Sequence, residues 1–144
     1  MYKHFKKTVV RGAFETVLDQ LKSELLNDGF EVGGITDFHN PRSRCQVTHT
    51  KHKVLSVHNG VLYKEMILMS PFAGIVFPCV VSVMELYPGE IAILPFNATE
   101  YLAREMSLES IEHLAKQVGR KLDGVIHILE KSQNKDPDLV TSWD

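Results

Sequence analysis

The sequence predicts an α+β fold: a mixed, largely antiparallel sheet in the order β-α-β-β-α-β-β-α, with a long C-terminal helix. Three observations carry this. Phe14, Val17, Leu18, Leu21 and Leu25 recur at i, i+3, i+4, i+7 and i+11, the stripe of an amphipathic helix set between β-like runs. Two apolar runs flank Tyr87-Pro88-Gly89-Glu90, where proline at i+1 and glycine at i+2 fit a type II turn and so pair the runs antiparallel. The chain then keeps helical period from Ser107 to Leu129. With 144 residues there is room for one ordinary domain. Residues 1–130 form it, and 131–144 read as a polar tail holding the sole tryptophan, Trp143.

Taken in order, Tyr2 to Val10 alternates weakly and carries Lys3, Lys6 and Lys7, as a lysine-guarded edge strand does. The first helix ends at Asn27-Asp28-Gly29, where glycine takes the left-handed position without a Cβ clash. Phe30 to Phe38 is a second strand weakened by Gly33-Gly34, and 39–52 is a polar loop broken at Asn40-Pro41. Lys53 to Val57 is a short strand. Asn59 is a good N-cap for a helix with Leu62, Tyr63, Met66, Ile67 and Met69, which Ser70-Pro71 closes. Ile75 to Leu86 and Ile91 to Phe96 form the hairpin. The last helix starts from Ser107 as N-cap, with Glu109 favoured by the dipole in its first turn. Its stripe is Ile111, Leu114, Ala115, Val118, Leu122, Val125, Ile126 and Leu129. Gly119 and Gly124 each cost about 1 kcal/mol relative to alanine unless another group approaches closely there. The rival reading breaks this helix at Asp123-Gly124 and makes Val125 to Leu129 a strand.

The hairpin is apolar on both sides. One face of its first strand shows Ile75, Phe77, Cys79, Val81 and Val83; the other shows Val76, Pro78, Val80, Ser82, Met84 and Leu86. An antiparallel sheet with one wet face alternates polar with apolar, so the second face needs a cover. The chain's own helices on both sides, a symmetry mate, or a bound apolar ligand would each supply one, and a two-fold dimer is the commonest soluble assembly.

Composition narrows the class. With 44% apolar and 24% charged residues, the chain resembles an ordinary globule, and a net charge of −2 argues against a whole-domain nucleic-acid or membrane-surface role. The most apolar stretch, Phe72 to Met84, is 13 residues long, short of the ~20 that span a bilayer. Its first residues lack a signal-peptide pattern. The expectation is a cytoplasmic protein with Cys45 and Cys79 reduced.

Several of these features together resemble the prokaryotic domain-of-unknown-function 302 family over roughly residues 2–130. They are the amphipathic helix closing in Gly29-Phe30, the short strand running into Asn59, the helix after it, and Phe77-Pro78-Cys79 opening a long apolar strand. Pro78 and Cys79 match the family's Leu-Pro-Cys. Its Cys-Asn-Pro stands here as His58-Asn59-Gly60, with only the asparagine kept. The resemblance implies a TATA-binding-protein-like α+β fold and homodimers, and implies no activity.

Candidate chemistry centres on Phe38 to Lys64. Five of the 16 basic residues (Arg42, Arg44, Lys51, Lys53, Lys64) and none of the 18 acidic ones fall there, so the segment carries +5 and the rest −7. Arg42 and Arg44, followed by a helix N-terminus at His58-Asn59-Gly60 and by Cys79, suit a small anionic, partly apolar ligand; the bland alternative is a solvated loop. Cys45, His49 and His52 are proper ligand types for zinc, but their spacing follows no strong zinc pattern and the nearby positive charges repel a cation. No cofactor is expected. Cys79 with His58 would make a thiol–imidazole pair if the two strand ends are adjacent; a buried, inert cysteine is the bland reading. Tyr63, Met66 and Met69 suit core packing, a dimer seam or a pocket. The function expected is a homodimeric small-molecule binding module, against an enzyme using Cys79 and His58 or a purely structural interaction dimer. Neither nucleic acid nor membrane is expected as a partner.

Overall fold

The computed structural model describes residues 6–39, 50–74 and 79–134. The elements are β1 (Thr8–Arg11), α1 (Phe14–Asn27), β2 (Phe30–Asp37), β3 (His52–Asn59), α2 (Gly60–Met69), a 3₁₀ turn (Pro71–Gly74), β4 (Cys79–Tyr87), β5 (Glu90–Phe96), α3 (Ala98–Glu105) and α4 (Glu109–Asn134). The five strands form one sheet in the order β1-β5-β4-β3-β2. Every pairing is antiparallel, the limiting case of the largely antiparallel sheet expected.

The helices form where the periodicity placed them. All five apolar residues of the α1 stripe are buried, and Gly29 closes the helix with φ +87°. The eight stripe residues of α4 are buried too. At 26 residues that helix is about 39 Å long and runs unbroken through Gly124. It packs against α1, α2 and α3 and is the backbone of the helical layer. The β4–β5 hairpin turns at Pro88-Gly89, with Gly89 at φ +89°, as a type II turn requires.

Three boundaries differ from the sequence reading. An additional helix, α3, precedes the last one. Ser107 is therefore not the N-cap of α4: it sits in the left-handed region at φ 56° in the α3–α4 corner, where the Leu108 amide donates to the Ala103 carbonyl at 2.8 Å. The third strand begins at His52 and runs through Asn59, because pairing with β2 and β4 on both sides extends it beyond its own apolar run. Of the expected first and fourth strands, residues 2–5 and 75–78 lie outside the described residues, as does Trp143.

The two faces of the sheet differ. Leu55, Val57, Cys79, Val81, Val83, Ile91, Ile93 and Val10 are buried and form one core with the helices. The opposite face carries Val80 beside Phe96, Ser82 beside Leu94, and Met84 beside Ala92. Val54, Ser56 and Val9 continue it onto β3 and β1. Val54, Val80, Ser82, Met84, Leu94 and Phe96 are only half-buried, and Val9 is exposed. Among the described residues the core helices cover one face, and the hairpin's second apolar face stays half-exposed, with Ala92 buried on it and the Tyr101 ring of α3 6.0 Å from Phe96.

Candidate functional site

Beta strands β3 and β5 run the same way, so their C-terminal ends share one end of the sheet, next to the start of β4. Each leads into an asparagine that caps the helix after it, Asn59 as the last residue of β3 and Asn97 just past β5. Asn59 accepts the Leu62 amide through Oδ1 at 3.2 Å, while its Nδ2 donates to the Asp28 carbonyl at 3.2 Å. Asn97 accepts the Glu100 amide at 3.1 Å, and its Nδ2 donates to the Ala115 carbonyl at 2.7 Å. A glycine lies against each amide group. A Cβ on Gly29 would stand 3.3 Å from Asn59 Nδ2, and one on Gly119 only 2.9 Å from Asn97 Nδ2. This accounts for a glycine in the middle of α4.

Cys79 opens β4 between these two corners. Its thiol is buried and donates to Asn97 Oδ1 at 3.2 Å, with the Thr99 hydroxyl 3.9 Å away. Burial pushes the thiol pKa up. The Thr99 hydroxyl bond and the Thr99 and Ala98 amides oppose the rise, and the Glu100 charge adds to it. The group is a protonated hydrogen-bond donor at neutral pH, the opposite of what a thiolate nucleophile needs.

His58 shares a cavity wall with Cys79, Asn59, Tyr63, Met66 and Thr99, but the cavity measures about 10 Å³, room for a single water. The alternation of β3 turns Val57, the register partner of Cys79, to the helix side and sends His58 to the open face. There its Nε2 lies 3.0 Å from the Glu31 carboxylate. Cys79 thus bonds Asn97 and Thr99, and His58 bonds Glu31, while both line the same small cavity. The α2 N-terminus is also occupied from within, with the Leu62 amide on Asn59 and the Gly60 amide 3.4 Å from the Gly29 carbonyl. His52 lies on the open face, its Nε2 2.8 Å from Ser82 Oγ and its ring 5.1 Å from that of Phe38. Arg42, Arg44, Cys45 and His49 lie outside the described residues. Among the described residues no three His, Cys, Asp or Glu side chains gather as a metal set.

The α2 stripe divides. Met66 is buried, Tyr63 packs half-buried against the core, and Met69 is exposed together with Val61 and Leu68. Asn97, which the sequence reading passed over, is the most connected polar residue of this region. Its signal is the Asn97-x-x-Glu100 spacing of a capping box.

No helix among the described residues is long and apolar enough to cross a membrane. A search of curated proteins finds no match. The crystal structure of an uncharacterised conserved DUF302 protein from Bacillus stearothermophilus is similar over 86% of this chain and 96% of that one, with a TM-score of 0.74 at 16% identity. At that identity the likeness speaks for the fold. The family model described as domain of unknown function DUF302 matches residues 5–129, most of the sequence. The chain therefore belongs to the DUF302 family.

Proposed function

We propose that this protein is a cytosolic, non-enzymatic homodimer that binds a small anionic, partly apolar molecule. One observation carries the reading: the apolar face of β4 and β5 opposite the core, where Val80, Met84, Leu94 and Phe96 stay half-exposed although the Tyr101 ring of α3 lies 6.0 Å from Phe96. Five strands ~4.8 Å apart and about seven residues long present roughly 550 Å² per copy, or about 1,100 Å² for two faces packed together. That clears the ~1,000 Å² expected of a specific interface. Two such twisted sheets stack as the halves of a β-sandwich do. Support for the ligand comes from the charge of the 38–64 segment, +5 against −7 for the rest of the sequence. The thiol-enzyme reading lacks comparable support, since Cys79 is buried, protonated and held by Asn97.

Native mass spectrometry of freshly purified protein tests both halves. The expected result is a dimer with a copurified small anion. Leu94→Asp, which the open face of a monomer tolerates, converts it to monomer; burying each leucine is worth ~1.5–3 kcal/mol and a two-fold seam counts it twice. A monomeric parent protein free of adduct overturns the reading. A dimer indifferent to Leu94→Asp overturns the assignment of the face.

A further inference from the structure

His52 stands apart from the other charged groups on the open face. Its register partner is Met84, and Phe38 and Ser82 complete its surroundings. Nε2 is taken by Ser82, while Nδ1 is shielded from solvent and has no hydrogen-bond partner among the described residues. Adding a proton there creates a donor with no acceptor and a charge with no counter-charge.

Among the described residues, the neighbouring elements offer nothing to compensate it. On the same face β2 and β3 bring Glu31 and His58, already paired at 3.0 Å toward the far end of the sheet. Strands β1 and β5 bring Arg11 and Glu90, paired at 3.7 Å. Asp37, Lys53 and Glu85 occupy register positions that alternate to the helix side. Lys51 precedes His52 in sequence and His39 follows Phe38, and a cation or a second imidazole gives no counter-charge. The surroundings of His52 itself are ring, thioether and hydroxyl.

We propose, on the footing of the homodimer reading above, that His52 gates the assembly by pH: protonation puts an uncompensated charge into the seam between the two sheets, and the copies separate as the medium acidifies. In the separated chain the exposed part of the half-buried ring faces water, which tolerates the charge better than the seam does. The described geometry already disfavours it, since burial lowers the His52 pKa below its usual range near 6.5. The dimer, which buries the ring further, lowers it again. Each copy contributes one such group, so the dissociation constant rises by up to about 100-fold per pH unit below the monomer's own value.

The test is sedimentation of the full chain over a concentration series at pH 7.5 and pH 5.5, with far-UV circular dichroism at both to confirm folding. The parent protein is expected to lose affinity at least ~10-fold on acidification. His52→Gln, a neutral side chain able to keep the Ser82 bond, is expected to flatten that response, with His52→Asn as a second neutral variant and His58→Gln retaining it. A dimer whose acid response survives in both His52 variants, or vanishes in His58→Gln, overturns the gate while the homodimer stands. A parent protein monomeric at both pH values throughout the series overturns the homodimer and the gate with it.

Discussion

Two glycines in α4, five residues apart, respond to alanine with opposite signs. At Gly124 a new Cβ meets nothing within 4 Å, so Gly124→Ala gains the helix-propensity difference of about 1 kcal/mol. At Gly119 the same gain is outweighed. The Cβ arrives 2.9 Å from Asn97 Nδ2 and 3.6 Å from Glu100 Oε2. A free asparagine would swing aside, but this one holds the Ala115 carbonyl, the Glu100 amide and the Cys79 thiol at once. Losing an N-cap costs ~1 kcal/mol and the amide–carbonyl bond about another 1. With the thiol left without its acceptor, the net for Gly119→Ala is roughly 1–2 kcal/mol of destabilisation. For a chain of this size each kcal/mol moves the midpoint by about 2–4 °C. Thermal and urea unfolding should therefore show Gly124→Ala above the parent and Gly119→Ala below it. Equal stabilisation by both substitutions would refute the tether at Asn97.

Two further outcomes follow from the same end of the sheet. In a Cys45→Ala background, the Cys79 thiol should resist a disulfide reagent at pH 7–8 and label only as fast as the chain unfolds; rapid labelling of the native state would contradict its burial and its bond to Asn97. Asn59→Ala should cost ~1–2 kcal/mol and Gly29→Ala, at φ +87°, about 1 kcal/mol or more in urea titrations. Their double variant should cost less than the sum, because both disturb the single corner where Gly29 and the Asn59 amide touch; strict additivity would count against that contact.

Much of the fold was legible because burial in this molecule follows periodicity. The α1 and α4 stripes, the Asn59 cap, the Pro88-Gly89 turn and the apolar make-up of the hairpin's second face all rest on local pattern. Two things escaped. Helix α3 is short, and its buried residues, Thr99 and Ala103, are too small to announce an apolar face. Ser107 has an N-cap's composition but serves the preceding helix, since a serine can end one helix as easily as begin another when the corner is tight. The site was half legible. Cys79, Asn59 and His58 do line one small cavity, yet the thiol bonds a residue eighteen positions downstream, Asn97, which sequence spacing did not single out. Which polar group meets a buried cysteine is decided by tertiary register, and sequence spacing does not carry that information.

The two asparagine corners at one end of the sheet have a consequence for how such a chain can change over generations. They rivet β3, β5, α1, α2, α3 and α4 to one another at that rim, so an insertion there must break a bonded amide to be accommodated. The opposite rim holds the Pro88-Gly89 turn and the ends of β2 and β3, where among the described residues no asparagine caps a helix. Lengthening or novelty in descendants of this chain is therefore channelled to the turn-bearing rim, leaving the riveted one as the fixed reference against which the variable one is presented.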